Sequence, residues 1–120
     1  MTRELYTGFY RHFKEINTDD EEMVYYIIDI CKDSETNELK VYYQAMYGDM
    51  IRYVREINMF SSVVDKEKYP NSNQEFRFEK MTKDEIDLWV KRNEDFINEN
   101  SSIKAIMSIP EHLLTMVNLN

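Results

Sequence analysis

The hydrophobic pattern of this chain changes near Lys80, and that change constrains the fold more than any other feature. Before this residue, apolar and polar side chains mostly alternate, which is typical of half-buried β-strands. After it, apolar side chains recur every three to four residues, which is typical of amphipathic helices. A chain of 120 residues is one domain by the usual length prior. The pattern therefore predicts an α+β fold in which a sheet precedes a helical segment.

The first part of the chain is predicted to form five to six short antiparallel strands. They are Leu5–Phe13, Met23–Cys31, Leu39–Tyr47, Ile51–Arg55, a short Met59–Val64 and Phe76–Lys80. An acidic loop, residues 15–22, separates the first two strands. The segment Tyr47–Met50 is predicted to form a tight hairpin turn, because Gly48 accommodates a positive φ.

The last part of the chain is predicted to form one long helix and one or two short ones. Thr82 is followed three residues later by Glu85, which is the signature of a capping box at a helix start. The helices expected from the pattern are Lys83–Asn98, Ile103–Met107 and Pro110–Val117. Residues 1–80 would then form a barrel domain, and residues 81–120 a helical extension. The apolar stripe of the long helix needs a cover, either the barrel or a partner chain, so the protein would be a monomer or a homodimer through this helix.

Charge and cysteine content limit the partners and the compartment. The net charge of -8 disfavours non-specific binding to nucleic-acid phosphates. Cys31 is the single cysteine, so the chain has no intramolecular disulfide, which suits the cytoplasm. The longest nearly apolar run, Met23–Cys31, is too short to cross a bilayer. We therefore expect a cytoplasmic protein that does not insert into membranes.

Four short segments place cationic or hydroxyl side chains beside aromatic ones, at strand ends or turns. They are Gly8–Lys14, Asp33–Thr36, Met46–Asp49, and Tyr53–Arg55 with Met59 and Phe60. In this order they resemble the bacterial family catalogued as domain of unknown function 1653. Its pattern runs G-x-Y-R-H-F-K, H-S-E-T, L-Y-G, W-V-R-P and M-F, and it closes on R-F, which Arg77 and Phe78 match.

The resemblance covers about residues 5–80 and implies a small SH3-like β-barrel. The family has no established activity, so the resemblance implies no reaction. This chain departs from the pattern at several positions: Asp33 replaces His, Met46 replaces Leu, Tyr53 replaces Trp and Glu56 replaces Pro. With its helical C-terminal extension, it is identified as a divergent member.

The same segments predict a binding surface for an anion. Arg11, His12 and Lys14 are cationic or polar neighbours, and the planar fork of arginine suits phosphate or carboxylate. Arg77 would join them if the sheet brings it close. Turn hydroxyls and backbone N–H groups would add donors, and tyrosines would stack on a nucleobase. The alternative is that Arg11 pairs with Glu35 and fixes a turn. The candidate ligand-binding residues are Tyr10, Arg11, His12, Lys14, Ser34, Glu35, Thr36, Tyr47, Tyr53 and Arg55.

These residues favour a non-catalytic binding module for a small anionic, nucleotide-like ligand or for a protein segment. Two alternatives stay open. One is a phage or mobile-element counter-defence protein that acts as an acidic inhibitor or sequesters a nucleotide. The other is an uncharacterised enzyme, although one histidine is too few for a zinc site and His12 has no identifiable nucleophile to activate. No catalytic residue, metal or cofactor is therefore expected.

Overall fold

The computed structural model describes residues 2–14 and 23–118, and within these ranges it confirms an α+β fold. The acidic loop predicted at residues 15–22 lies outside the described residues. The strands are β1 Thr2–Tyr6, β2 Gly8–His12, β3 Val24–Lys32, β4 Leu39–Ala45, β5 Arg52–Glu56, β6 Phe78–Lys80 and β7 Leu113–Asn118. The helices are α1 Ile57–Phe60, α2 Lys83–Arg92, α3 Glu94–Glu99 and α4 Ser101–Met107.

Five strands form an antiparallel sheet in the order β5-β4-β3-β2-β6. Strands β3 to β6 lie within two residues of their predicted bounds. The sheet curls, because the rings of Tyr43 on β4 and Phe78 on β6 lie 5.6 Å apart although two strands separate them in the sheet. In the described residues no strand pairing joins β5 to β6, so the predicted barrel is not closed.

The inner face of the curled sheet packs around a group of aromatic rings. Phe60 of α1 stacks on Phe78 with ring centroids 4.2 Å apart, and it lies 5.2 Å from Tyr43. Tyr10 of β2 also contacts Phe60, at 6.0 Å between centroids. The Phe60 side chain of α1 thus occupies the space between β5 and β6, where a closed barrel would have backbone hydrogen bonds between strands.

The prediction of a strand at Met59–Val64 is wrong, because the preceding glutamate starts a helix there. The Glu56 carboxylate accepts hydrogen bonds from the backbone N–H groups of Asn58 at 3.0 Å and Met59 at 3.1 Å. A side chain that satisfies the first N–H groups of a helix stabilises its first turn. Only an isolated bridge between Val63 and Phe76 retains β-structure in this part of the described chain.

The predicted first strand, Leu5–Phe13, is two strands with a bend at Thr7 between them. Gly8, with φ of 128°, begins the second. The first of the two, β1, leaves the five-stranded sheet and pairs with β7. The bend is held by the Thr7 backbone N–H, which donates to the carbonyl of His112 at 3.0 Å.

The prediction of a helix over Pro110–Val117 is also wrong, since this segment forms β7. It pairs antiparallel with β1, with Leu5 opposite Thr115 and Arg3 opposite Val117. Both Leu5 and Val117 are buried. A strand partner distant in the sequence therefore outweighs the local signal of a proline at a helix start.

The capping box that begins α2 is present as predicted. Thr82 Oγ1 accepts the Glu85 N–H at 3.2 Å, and Glu85 Oε1 accepts the Thr82 N–H at 3.0 Å. The predicted long helix is interrupted at Asn93, whose N–H donates to the carbonyls of Trp89 and Val90 at 3.0 and 3.2 Å. No helix among the described residues has the length and apolarity that a bilayer crossing requires.

The outer face of the sheet packs against the C-terminal helices. Trp89 is buried, and its ring lies 5.4 Å from that of Phe9 on β2. Phe9 in turn makes an edge contact with Tyr26 on β3 at 5.0 Å. Ile97 and Ile103 complete this second core. The sheet is therefore covered on both faces, and what stays exposed is its rim.

Candidate functional site

A group of basic and aromatic side chains lies at the rim of the inner face. We call it the basic aromatic cluster, and its members come from the ends of β2 and β6, the start of β3, the middle of β4 and β5, and the turn after β4. They are His12, Phe13, Lys14, Tyr25, Tyr43, Tyr47, Tyr53, Arg55, Arg77 and Phe78.

Tyrosine rings form one side of the cluster. Tyr25 lies 5.5 Å from Tyr43 and 5.6 Å from Tyr47, measured between ring centroids. The hydroxyl oxygens of Tyr25 and Tyr47 are 2.5 Å apart and form a hydrogen bond. Tyr53 stands opposite Tyr43 in the β4–β5 ladder, with its ring 5.6 Å away, and is 40% exposed. The pairing of the strands therefore places the buried rings of Tyr25 and Tyr43 next to the more exposed ring of Tyr53.

Cationic side chains gather around two phenylalanine rings on the other side. His12 contacts Phe78 at 4.7 Å between ring centroids, and the guanidinium carbon of Arg55 lies 5.7 Å from the centre of the same ring. Arg77 Cζ and Lys14 Nζ each lie 5.8 Å from the centre of Phe13. The Phe13 ring is 4.8 Å from His12. Residues far apart in the chain thus meet, because the curl brings β5 towards β6.

The electrostatic effect of this gathering is visible at His12. Burial, together with the positive charges of Arg77, Arg55 and Lys14, lowers its pKa from 6.5 to about 4. His12 is therefore neutral at pH 7. Its Nδ1 accepts a hydrogen bond from the backbone N–H of Lys14 at 3.1 Å, so Nε2 carries the proton and is a donor.

The buried tyrosines of the cluster are also neutral at physiological pH. Burial raises the pKa of Tyr25, and its hydrogen bond with Tyr47 adds to the effect. Burial likewise raises the pKa of Tyr43, although the charge of Arg55 and its hydrogen bond to the Tyr43 hydroxyl oppose this. These phenols therefore keep their protons, and the cluster contains hydroxyl donors beside its cations.

The two arginines of the cluster have no acidic partner in the part of the chain that the structure describes. Its four ion pairs there join Arg11 to Glu79 and Glu85, Lys40 to Glu38, and Lys80 to Glu111. Arg55 and Arg77 lie against aromatic rings instead. Their charges are left uncompensated by any described carboxylate within ion-pair distance.

Arg11, a predicted site residue, lies outside the cluster. Its guanidinium donates to Glu79 at 2.9 Å, to Glu85, and to Gln74 Oε1 at 3.0 Å. Burial alone would raise the pKa of Glu85, but hydrogen bonds from Thr82 and the charge of Arg11 lower it. Arg11 therefore has the structural role that the alternative reading gave it, although its partners are not Glu35.

Tyr10, another predicted site residue, is part of the core. It is 1% exposed. Its hydroxyl accepts the backbone N–H of Tyr6 at 3.1 Å and lies 3.2 Å from the Tyr6 carbonyl. The ring therefore offers no free face for a ligand to stack on.

Ser34, Glu35 and Thr36 lie at the exposed tip of the β3–β4 hairpin, at the opposite end of β3 from Tyr25. Asp33 Oδ1 accepts the backbone N–H groups of Glu35 at 2.8 Å and Thr36 at 3.2 Å. These hydrogen bonds lower the pKa of Asp33. Two of the backbone N–H groups predicted to hold an anion are therefore already bound, by the residue that replaces the histidine of the family pattern.

The structure thus brings together five of the ten predicted site residues: His12, Lys14, Tyr47, Tyr53 and Arg55. Arg77 also belongs to the cluster; the sequence predicted its membership only if the sheet brings it close to the other residues. Tyr25 and Tyr43 were missed. The available signal was their position in strands that pair with the motif-bearing ones, but β3 is apolar on both faces, which hides Tyr25 among core residues.

The cluster has the chemistry of an anion site with an aromatic wall. Guanidinium groups and a neutral imidazole N–H would hold oxygen atoms of phosphate or carboxylate. Within residues 2–14 and 23–118, no group of three or more metal-ligating side chains that could hold an ion occurs.

Fold and cluster together define a small α+β protein whose curled sheet carries a basic, aromatic rim. The chain belongs to the family described as protein of unknown function (DUF1653), whose model matches residues 8–80. This match confirms the resemblance carried by the sequence motifs. It spans every member of the cluster, while α2, α3, α4 and β7 lie beyond it. Neither a curated protein nor a solved structure matches the chain.

Proposed function

We propose that this protein is a non-catalytic binding module that holds a small anionic ligand at the basic aromatic cluster. The observation that carries the proposal is the approach of Arg55 and Arg77 to His12 around the rings of Phe13 and Phe78. It occurs in a chain whose net charge is -8.

The arrangement is costly for the free protein. Like charges held close together repel; burial first, and then the positive charges of Arg77, Arg55 and Lys14, lower the pKa of His12. A bound anion would relieve this repulsion and would be held more strongly than in water, because the site is partly buried. Titratable groups whose pKa is shifted by burial and by neighbouring charges cluster at functional sites.

The aromatic wall favours an anion that carries a flat group. Tyr53 presents a partly exposed ring, with Tyr43 opposite it in the ladder and Arg55 two residues along the strand on the same face of the sheet. A nucleobase stacks on such a ring regardless of its identity, and arginine binds the phosphate. A mononucleotide therefore fits the chemistry of the cluster better than a bare inorganic ion does.

The proposal also includes an SH3-like arrangement of the strands and a cytoplasmic location. The strand order β5-β4-β3-β2-β6, with α1 placed between β5 and β6, supports an SH3-like arrangement whose barrel is left open. The single, exposed Cys31 supports action in the reducing cytoplasm.

A thermal-shift experiment tests the function. Adenosine monophosphate, adenosine and inorganic phosphate are added separately to the full chain. A ligand at ten times its Kd stabilises the folded state by about 1.4 kcal/mol, which raises Tm by a few degrees in a domain of this size. We expect the largest rise with the mononucleotide, a smaller one with phosphate, and none with adenosine at the same concentration.

Substitutions inside and outside the basic aromatic cluster test where the ligand binds. Arg55→Ala and Arg77→Ala should each abolish the rise in Tm, because each removes one guanidinium from the cluster. Lys91→Ala removes a positive charge from an exposed position on α2 and should leave the rise unchanged. A rise that persists in both arginine variants would overturn the assignment of the cluster. So would a Tm that neither adenosine monophosphate nor phosphate raises.

A further inference from the structure

The strand β5 leaves one edge of the five-stranded sheet open. It is the last strand in the sheet order, and among the described residues its ladder is with β4 alone. Two large apolar side chains are exposed at this edge: Val54 is 61% exposed, and Ile51, just before the strand, is 51% exposed. At the other edge, the Arg3 side chain covers β6 by donating to the carbonyl of Phe78. An uncovered edge strand is a template for another strand.

The hydrogen-bond pattern shows which backbone groups of β5 point outwards. The N–H of Ala45 donates to the carbonyl of Ile51 at 2.9 Å, so Ile51 directs its backbone towards β4. In an antiparallel ladder every second residue does the same. Tyr53 and Arg55 therefore face β4 with their backbone groups. Those of Arg52 and Val54 and the N–H of Glu56 face away from the sheet, and the described residues place no strand against them. The Glu56 carbonyl belongs to the first turn of α1.

We propose that β5 pairs with β5 of a second copy of this chain, antiparallel and about a two-fold axis at Val54. The segment Arg52-Tyr53-Val54-Arg55-Glu56 is complementary to itself in this register. The outward backbone N–H and C=O groups of Arg52 and Val54 then find partners, and the two sheets become one continuous sheet. We assign the partner strand to a second copy because β5 begins with a positive residue, Arg52, and ends with a negative one, Glu56. An antiparallel copy therefore brings opposite charges together at both ends.

On the outer face, the register places opposite charges together. Arg52 lies opposite Glu56 of the partner subunit, twice by symmetry, and Val54 lies opposite Val54 of the partner subunit. Cross-strand pairs of opposite charge stabilise a sheet, whereas like charges directly opposite each other destabilise it. A register shifted by two residues would place Arg52 opposite Val54 and lose both ion pairs.

On the inner face, the register places Tyr53 opposite Arg55 of the partner subunit. A guanidinium next to a tyrosine ring is a favourable cation–π pair. Since Tyr53 and Arg55 are members of the basic aromatic cluster, each cluster would border the other across the two-fold axis. The proposed pairing rests on the geometry and the charges of β5 and does not depend on what the cluster binds.

Cysteine cross-linking tests the register. In a two-fold pair centred on Val54, only that residue faces its own copy, with Cα atoms about 5.5 Å apart, which lies within disulfide range. The two Arg52 residues would lie about 13 Å apart along the strands. In a Cys31→Ser background, Val54→Cys should form the disulfide dimer roughly tenfold faster than Arg52→Cys, because pairing raises the effective concentration at residue 54. Equal rates at the two positions would overturn the proposal.

Charge reversal tests the interface without cross-linking. Light scattering after gel filtration should show a dimer of the wild-type chain at high micromolar concentration. Arg52→Glu places like charges opposite each other and should give a monomer at the same concentration. Lys91→Glu changes the net charge by the same amount on α2 and should remain dimeric. A wild-type monomer, or a dimer that survives Arg52→Glu, would contradict pairing at β5, whatever the outcome of the nucleotide experiment.

Discussion

Arg11 and His12 are neighbours in the chain, yet they lie on opposite faces of β2. Arg11 donates to Glu79 at 2.9 Å and to Glu85 on the side where the C-terminal helices pack. His12 lies against Phe78 on the other side, at 4.7 Å between rings. The alternation of a strand produces this separation. It divides a basic motif into one residue with a structural role and one in the candidate site.

The first prediction separates these roles. Arg11→Ala should lower the free energy of unfolding by on the order of 1–2 kcal/mol, because two carboxylates and an amide lose a charged partner in a half-buried position. Urea titration measures this change. The same variant should keep the stabilisation by adenosine monophosphate. Arg55→Ala should show the reverse, with nearly unchanged stability and no ligand effect.

The second prediction concerns the protonation of His12. Its folded pKa is about 4 and its ordinary value is 6.5. Between these values the unfolded chain binds more protons, so the folded state loses stability as the pH falls from 6.5 towards 4. His12→Gln should weaken the pH dependence in this interval. Proton NMR of the imidazole gives the pKa directly, and a midpoint near 6.5 would contradict the packing described for this ring.

The third prediction follows from the positive charges that act on His12. A phosphate bound beside Arg55 and Arg77 would offset their effect and raise the pKa of His12. The NMR titration repeated with saturating adenosine monophosphate should therefore show a higher midpoint than in the free protein. A ligand that stabilises the protein but leaves this midpoint unchanged binds elsewhere.

The fourth prediction concerns the tyrosine pair. Tyr47→Phe removes the hydroxyl that lies 2.5 Å from the Tyr25 hydroxyl and should lower the free energy of unfolding by about 1 kcal/mol. Tyr42→Phe is the matched control, since its hydroxyl accepts an exposed hydrogen bond from Arg52 at 3.3 Å. That change should stay within about 0.5 kcal/mol of the wild type. Equal losses in the two variants would argue against a special role of the buried pair.

The fifth prediction compares the two glycines of the chain. A Cβ added to Gly8 would lie 2.9 Å from Glu111 Oε1, and Gly8 has φ of 128°. Gly8→Ala should therefore destabilise the fold by about 2 kcal/mol or more. Gly48 has φ of 56°, and a Cβ there meets nothing within 4 Å, so Gly48→Ala should cost about 1 kcal/mol. Thermal unfolding of both variants checks the order.

Local chemistry made several elements predictable. The capping box of Thr82 and Glu85 needs only its own helix turn, and the Asp33 turn needs only the N–H groups that follow it. Four strands could be placed within two residues because alternation and turn residues are read along the chain. The family motifs likewise carried the assignment that the match to residues 8–80 confirms.

Other elements depended on partners far away in the chain. The segment at Leu113–Asn118 is a strand because β1 lies beside it. The cap of helix Ile57–Phe60 is local, but the packing of Phe60 against Tyr43 and Phe78 joins residues distant in the chain. Neither β1 nor these core contacts can be identified from the local pattern. The division of the first strand at Thr7 has the same origin, since each half joins a different sheet.

The sequence by itself determined the mixed fold, most strands, the start of the helical part and the family. Only the tertiary structure decided which basic residues meet. The curl of the sheet brings Arg55 to the Phe78 ring beside His12, while strand alternation turns Arg11 away from it. The reason is physical: hydrogen-bonded turns and caps are satisfied within a few residues, whereas a site on a curled sheet is set by register and packing between strands that the chain order does not place side by side.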